Sequence, residues 1–432
     1  PDMPGDFAGG SVIIHTRDFP EKFNAQVTVN GGVNSIATFN DRLTGRPSGG
    51  LDFLGIDDGT RALPGGFPDR VYRIDPNTRE PVDIKSLGGQ LRNPFTLRNA
   101  GAMPNFGGSV VVGDSFRFGK DKAQTLGYQV AASYGRSYQR RMGEIVRTFS
   151  PAAEGRPELL RLNDYRGETG TERTSWSTFG SVSYAAGANH RLTLTGVYTQ
   201  QADYEGRQYR GFNEERAVDV EDTRIRFQSR GLAFGQLHGE HKFPSLNKSV
   251  LSWTVSPSLA SLDEPDLRNL VYTTDPRTPG ISVFEENPLS SLHFFAKQSE
   301  AAVTGTADYT LPLIPGKTPL TMKAGAFGAV RRRDFSGRRF FFRKTQGVSP
   351  EIYASAPDEL FVPENYGNSR PPEPLYLEEG TQNFDAYRAD YDVLSGFLMT
   401  DVSLTEQWRL IVGGRLETSV QTINSYRIEN PS

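Results

Sequence analysis

The feature that most constrains this chain is a two-residue alternation of apolar and polar side chains, which recurs along most of its length. In residues 181–201, Val182, Tyr184, Leu192 and Leu194 share one face, while serines and threonines occupy the other. A period of two is typical of a β-strand that is apolar on one side only. Because helical periodicity is nearly absent, the sequence predicts an all-β fold.

The alternation predicts about eleven strands. They are expected at residues 23–34, 109–118, 126–135, 180–186, 191–201, 227–243, 250–261, 300–311, 320–333, 390–402 and 409–418. Their connections alternate between short turns and long segments, the latter being 35–107, 139–173, 206–226, 262–296 and 344–389. This regular alternation of connection length is the second constraint on the architecture.

Short turns at one end and long loops at the other are typical of transmembrane β-barrels, which have an apolar outer band and a polar interior. We therefore predict a transmembrane antiparallel up-and-down β-barrel. Its apolar face meets lipid, its polar face lines a lumen, and its long segments form the rim that contacts ligand. A large soluble β-sandwich, for example a carbohydrate-binding one, has the same side-chain alternation and is an alternative.

Two further signals concern the membrane. Tyr184, Tyr309 and Trp408 lie beside predicted short turns, and such amphipathic rings are enriched at the membrane–water interface. No stretch approaches the ~18 consecutive apolar residues of a transmembrane helix. Any passage through a bilayer is therefore expected to use strands.

Motifs for catalysis and metal binding are missing from the sequence. It has no cysteine and no G-x-S-x-G, H-E-x-x-H, Walker A or EF-hand pattern, so we expect neither an enzyme nor a cofactor or metal. His238 and His241 have opposite strand parity and are expected to point to opposite faces. The three aspartates of "LDFLGIDDGTRALPGG", namely Asp52, Asp57 and Asp58, are interpreted as part of a turn rather than as a Ca²⁺ site.

The densest charge cluster is "AVRRRDFSGRRFFFRK", where a predicted strand runs toward a long segment. Candidate contacts to a ligand or to lipopolysaccharide phosphates are Arg331, Arg332, Arg333, Arg338, Arg339 and Phe340. A solvated strand extension is the simpler interpretation of the same residues. Because the net charge of the chain is −3, no nucleic-acid partner is expected.

The opening stretch "PDMPGDFAGGSVIIHTRDFPEKF" resembles the end of the plug domain of TonB-dependent outer-membrane receptors, running into the first barrel strand. A glycine-rich turn and a strand ending in a Thr-Lys/Arg pair are matched here by Gly9, Gly10, Thr16 and Arg17. The stretches "DFLGIDDGTRALP", "FGQLHGEHKF", "SLDEPDLRNLVY" and "VSLTEQWRLIVGGRLE" resemble loop edges and strands of one branch of the family.

This resemblance implies a 22-stranded barrel in the outer membrane of a Gram-negative bacterium, closed by a plug. Residues 1–20 would be the end of the plug, and 21–432 the first half of the barrel, open because about eleven strands are present. Candidate plug–barrel or lumen contacts are Arg17, Asp18, Arg415 and Glu417. The first and last strands are expected to lack each other as partners.

The resemblance also implies active import of a scarce, bulky small molecule, glycan or peptide. TonB would deliver the energy through an amino-terminal box that this sequence lacks, and lipid and lipopolysaccharide would surround the barrel. The alternative is a structural or assembly barrel of the outer membrane without active transport.

Overall fold

The structure, a computed structural model, describes residues 20–45, 49–68, 84–91, 94–151, 159–275, 277–314, 319–367, 373–405 and 407–425. Strands hold 70% of the described residues and helices 7%, so the fold is all-β as predicted. A single α-helical turn, α1 (Pro357–Leu360), is accompanied in the described ranges by short 3-10 helices at Asp52–Leu54, Lys85–Gln90, Lys120–Lys122, Pro350–Ala354, Pro363–Asn365 and Asn383–Asp385. Within those ranges, no helix has the length and apolar character that a membrane span needs.

The strands are mostly long and follow the chain closely. In order they are β1 (Asn24–Gly32), β2 (Asp41–Thr44), β3 (Arg98–Gly101), β4 (Asn105–Phe118), β5 (Gln124–Pro151), β6 (Leu159–Ala186), β7 (His190–Asn213), β8 (Val218–Phe243), β9 (Ser249–Thr274), β10 (Ser282–Phe284), β11 (Leu292–Ile314), β12 (Leu320–Lys344), β13 (Leu375–Glu379), β14 (Ala386–Ser403) and β15 (Arg409–Ser425).

Thirteen of these strands form one antiparallel sheet. Its main path runs β1-β4-β5-β6-β7-β8-β9-β11-β12-β14-β15, which agrees with the about eleven strands predicted, and β10 and β13 attach to β9 and β12. In the ranges given above, β1 pairs only with β4 and β15 only with β14. The remaining pair, β2 and β3, forms a separate two-stranded sheet.

Two of the predicted long loops are wrong, because the strands extend through them. The segment predicted as a loop at 139–173 belongs mostly to β5 and β6, and that at 206–226 belongs mostly to β7 and β8. Charged residues occupy both faces there and hide the alternation, yet they form ion pairs across the strands. Examples are Arg140–Glu168 at 2.8 Å, Arg147–Asp164 at 3.0 Å and Arg210–Glu221 at 2.9 Å.

On the main sheet the apolar side chains are exposed and the polar side chains of the opposite face are buried, which is the reverse of the usual arrangement in a soluble protein. The positions predicted to be apolar are solvent-exposed in the structure, with Val303 at 49% and Leu259 at 62% of full exposure. Small polar residues on the opposite face are buried, as in Ser183 at 0% and Ser256 at 8%. We call the exposed set the apolar belt; its members are Val110, Val130, Val182, Leu194, Leu237, Val255, Leu259, Val303, Val330, Leu394, Leu398, Val412 and Leu416.

Strand register makes the apolar belt continuous. Leu194 of β7 pairs with Val182 on one side and with Leu237 on the other, and Leu237 pairs with Val255 of β9. In the same part of the sheet the opposite face carries hydroxyl pairs such as Ser183–Thr193, 2.6 Å apart. Over β5–β9, between residues 126–134, 176–184, 192–198, 231–239 and 251–259, the face of the apolar belt carries no Asp, Glu, Lys or Arg.

The long connections from β1 to β4 and from β12 to β14 pack together at one end of the sheet. Their shared core, which we call the loop cap, contains Phe67, Leu91, Phe95, Leu270, Tyr272, Phe284, Phe340, Phe342, Tyr353, Leu360, Leu375 and Leu377. The described parts of these two long segments thus lie at the same end of the sheet, as the sequence predicted, and they are packed rather than extended.

Candidate functional site

Aromatic residues bound the apolar belt at both ends. Trp176 and Tyr184 lie on the same face of β6, separated by ~26 Å of strand at ~3.3 Å per residue. The stretch from Trp176 to Tyr184 is thus comparable with the ~9–11 residues in which a tilted strand crosses a bilayer, and aromatic girdles flank the apolar band of outer-membrane barrels. Tyr184 lies near the short turns, and its ring stacks with that of Phe118 at a centroid distance of 6.4 Å. Trp176 lies toward the loop cap, with its ring centroid 5.0 Å from that of Tyr198.

Tyr134 and Trp176 form an aromatic row at the end of the apolar belt nearest the loop cap, and this row binds a segment of the connection from β1 to β4. We call residues 41–45 and 49–61 the docked segment. Its consecutive carbonyl oxygens at Phe53, Leu54 and Gly55 accept hydrogen bonds from side chains of four adjacent strands. The donors are Tyr134 (2.8 Å), Trp176 (2.9 Å), Gln200 (2.7 Å) and Ser229 (2.9 Å).

Arg61 is the internal hub of the docked segment. Its guanidinium is 1% exposed, donates to Asp52 at 2.6 and 2.9 Å and to Asp57 at 2.9 Å, and lies 4.2 Å from the ring of Phe227. Burial alone would lower the pKa of Arg61, but the hydrogen bonds and charge of Asp52 outweigh it and the pKa is raised. Arg61 therefore stays charged and holds two carboxylates.

Two glycines let β2 approach the main sheet backbone to backbone. A Cβ added at Gly170 would lie 2.3 Å from the carbonyl oxygen of Leu43, and one added at Gly206 would lie 2.9 Å from the same atom. Neither contact can be relieved by rotating a side chain. Close docking of β2 thus depends on glycine at both positions.

We expect Gly170→Ala to loosen the docked segment by about 1–3 kcal/mol, because the new methyl group overlaps backbone atoms of β2. The fluorescence of Trp176, whose indole donates to Leu54, reports docking in a Trp253→Phe, Trp408→Phe background. Gly180→Ala is the matched control, since no atom lies within 4 Å of its added Cβ. Equal spectra for the two variants would contradict this account of β2.

A cavity of about 670 Å³ lies between the docked segment and the main sheet. Its charged lining consists of Arg42, Arg98, Arg136, Asp52 and Glu172, and its aromatic lining of Phe53, Tyr204 and Phe227. We call it the arginine cavity. Its volume is in the range of small-molecule sites.

Both carboxylates of the arginine cavity already have partners. Glu172 accepts from Arg136 at 2.7 Å and from Arg42, and Asp52 accepts from Arg61. Arg42 is 5% exposed, and its Nη1 has no hydrogen-bond partner in the part of the chain that the structure describes. The Nη2 atom of Arg98 is likewise buried without a described partner.

The arginines predicted as ligand contacts on β12 point to both faces of the sheet and are paired with carboxylates. Arg331 and Arg333 lie on the polar face beside Glu300, at 3.6 and 2.5 Å. Arg332 lies on the opposite face, 3.2 Å from Asp390. The three side chains therefore do not converge on one point.

The other members of that predicted set lie at the end of the sheet that carries the loop cap. Arg338 binds Glu379 at 2.8 Å and Arg339 binds Asp385 at 2.7 Å. Phe340 is completely buried, packed 5.0 Å from the ring of Phe67. Contact of these residues with a ligand or lipopolysaccharide stays a prediction. In the structure Arg338 and Arg339 pair with carboxylates of the connection between β12 and β14, and Phe340 belongs to the loop cap.

Of the predicted lumen contacts, Arg415 and Glu417 lie on the polar face of β15 and form an ion pair at 2.7 Å. Arg415 also donates to the hydroxyl of Ser395. The predictions for Arg17 and Asp18, and for residues 1–20 as the end of a plug, lie almost wholly outside the described residues, which begin at 20. Plug contacts thus stay a prediction.

The histidines and aspartates weighed as metal ligands have other partners. His238 contacts the hydroxyl of Thr254 at 3.0 Å, whereas His241 accepts from the indole of Trp253 at 3.1 Å, so the two histidines point to opposite faces as predicted. The backbone N–H of Gly50 donates to Asp58 at 2.6 Å. In the described ranges no group of three or more His, Asp or Glu side chains is placed to hold a metal ion.

Sequence reasoning missed the arginine cavity altogether. Arg42, Arg98 and Arg136 are far apart in the chain, and only the docking of β2 on β6 and β7 brings them together. The available signal was the three aspartates around Arg61, which mark a segment with internal ion pairs. Comparisons of the chain with protein-family models, with curated proteins and with solved structures return no match.

Proposed function

We propose that this chain forms wall strands and surface loops of an outer-membrane β-barrel receptor that imports its substrate with energy from TonB. The observation that carries the proposal is the apolar belt, which is exposed and bounded by aromatic rows. A contiguous apolar surface of this extent is rare on a soluble monomer. Lipid is the environment in which it is stable, and buried polar side chains on the other face suit a lumen.

Strand length supports the same proposal. A tilted strand crosses a bilayer with about 9–11 residues, whereas β5 and β6 have 28 residues each. We infer that the excess projects from the membrane at the end that carries the loop cap. There, charged cross-strand pairs such as Arg147–Asp164 replace apolar contacts.

The edge strands β1 and β15, each paired on one side in the described residues, support the proposal of a larger barrel. Unpaired backbone groups in hydrocarbon cost several kcal/mol each, so β1 and β15 need partner strands in a bilayer. The resemblance to TonB-dependent receptors supplies such partners as the other strands of a 22-stranded barrel. It also motivates the choice of active import.

Lipid contacts form part of the proposal. A groove of about 680 Å³, mostly on the face of the apolar belt, is lined by apolar residues such as Leu259 and Ala301. Its charged lining consists of Arg332, Arg333, Arg388, Glu300, Asp334 and Asp390. The apolar part of the groove suits an acyl chain, and the part beside Arg332 suits an anionic headgroup. Arg332 would then exchange part of its contacts with Asp390 and Asp392 for lipopolysaccharide phosphate.

Import is tested by comparing the compounds that wild-type cells, cells lacking this gene and cells lacking tonB remove from the medium. We expect one compound or class whose uptake disappears in both deletion strains. The loss of the gene alone should leave general outer-membrane permeability unchanged. If permeability rises and no compound shows TonB-dependent uptake, the structural barrel is the better description.

A further inference from the structure

The charges of the arginine cavity do not balance. Three arginines line it, Arg42, Arg98 and Arg136, against two carboxylates. Glu172 is shared by Arg42 and Arg136, and Asp52 is held by Arg61 from within the docked segment. Arg98 forms no ion pair with a described carboxylate. The cavity therefore carries surplus positive charge.

Two buried hydrogen-bond donors accompany this surplus of positive charge. The Nη1 atom of Arg42 and the Nη2 atom of Arg98 are shielded from solvent and lack a described acceptor. A buried guanidinium N–H without an acceptor is unfavourable, and a bound oxyanion would satisfy it. Arg42 is also fixed in place by Glu172 and by the ring of Tyr138, 5.2 Å from its guanidinium carbon. It is therefore preorganised to donate.

We propose that the arginine cavity binds a phosphate group carried by a larger molecule. Arginines match the oxygen spacing of phosphate, and a phosphate monoester carries the charge of about −1.5 to −2 that suits a surplus of guanidinium groups. The volume of about 670 Å³ leaves room for an attached body. Phe53, Tyr204 and Phe227 give that body an aromatic wall.

The position of the cavity allows two sources for the phosphate. It lies on the face of the apolar belt, beside the aromatic row of Tyr134 and Trp176 whose donors hold the docked segment. A lipid headgroup at the membrane surface reaches this level, and so does a soluble phosphorylated molecule from outside. The chemistry recognised is the same in both cases.

The test measures binding of inorganic phosphate, of glucose 6-phosphate and of phosphatidic acid in nanodiscs to the intact protein freed of lipid. We expect saturable binding of at least one probe, with an affinity at least 10-fold lower in Arg42→Gln and in Arg98→Gln. Arg277→Gln, which alters an exposed loop arginine, is the control and should bind as wild type. Preference for glucose 6-phosphate identifies a soluble source, and preference for phosphatidic acid a lipid source.

Trp176 fluorescence separates binding from folding, because it reports whether the docked segment stays in place. Arg98→Gln is the cleaner variant, since Arg98 has no ion pair with a described carboxylate to break. The proposal is overturned if no probe binds saturably, or if both variants bind as tightly as Arg277→Gln does. Phosphate binding does not depend on import, so it can fail while TonB-dependent uptake holds, and the reverse.

Discussion

Replacing Val303 by arginine is expected to destabilise the protein in a bilayer by ~2–4 kcal/mol, whereas Thr304→Arg should be mild. Val303 is a half-exposed member of the apolar belt, and its neighbour Thr304 points to the polar face. A guanidinium facing hydrocarbon near the midplane carries that penalty, but one facing an aqueous lumen does not. Urea unfolding of the protein folded into lipid vesicles measures the difference.

A second pair on another strand controls for local packing. Leu194→Arg should resemble Val303→Arg, and Thr195→Arg should resemble Thr304→Arg, since the two apolar residues belong to the same belt. Equal costs on both faces would mean that neither face meets lipid. A soluble sandwich would then be the better architecture.

Arg61→Met should release the docked segment, with a cost of about 3–5 kcal/mol. The substitution keeps much of the side-chain volume but leaves Asp52 and Asp57 without the buried cation that holds them. Breaking a buried pair by removing one partner carries a penalty of this size. Hydrogen exchange of backbone amides in residues 49–61 measures the loss of docking.

Arg277→Met is the matched control for Arg61→Met. Arg277 also pairs with an aspartate, Asp275 at 2.6 Å, but its side chain is 88% exposed. Exposed pairs contribute little, although this one holds the pKa of Asp275 at about 2 through the Arg277 side-chain hydrogen bond. Protection of residues 49–61 that survives Arg61→Met would contradict the role of Arg61 as a hub.

The sequence was sufficient to predict the faces of the sheet and the approximate number of strands. Both follow from the alternation of side chains, which reports directly which positions share a face. Strand length was not predictable in the same way. In the halves of β5–β8 farthest from the short turns, charged residues such as Arg140 and Glu168 replace apolar side chains. Only the ion pairs that they form with the next strand show that they belong to a sheet.

The candidate sites illustrate a second limit. The cluster from Arg331 to Phe340 suggested an exposed anion site because the carboxylates that pair with it, such as Glu379 and Asp385, come from another segment. Conversely, Arg42 and Arg98 carried no local signal, since the arginine cavity exists only when β2 docks on the sheet. Contacts between distant segments decide both cases.

The central claim is that the apolar belt faces lipid while the other face meets water. Because the chain has no cysteine, a spin label can be placed at one position at a time, through Leu194→Cys or Thr195→Cys. Power-saturation electron paramagnetic resonance of the bilayer-embedded protein then compares collisions with oxygen and with a water-soluble nickel chelate. We predict that the label at 194 collides with oxygen but not with the nickel chelate, and that the label at 195 collides with the nickel chelate. A label at 194 that is as accessible to nickel as the label at 195 would contradict the account.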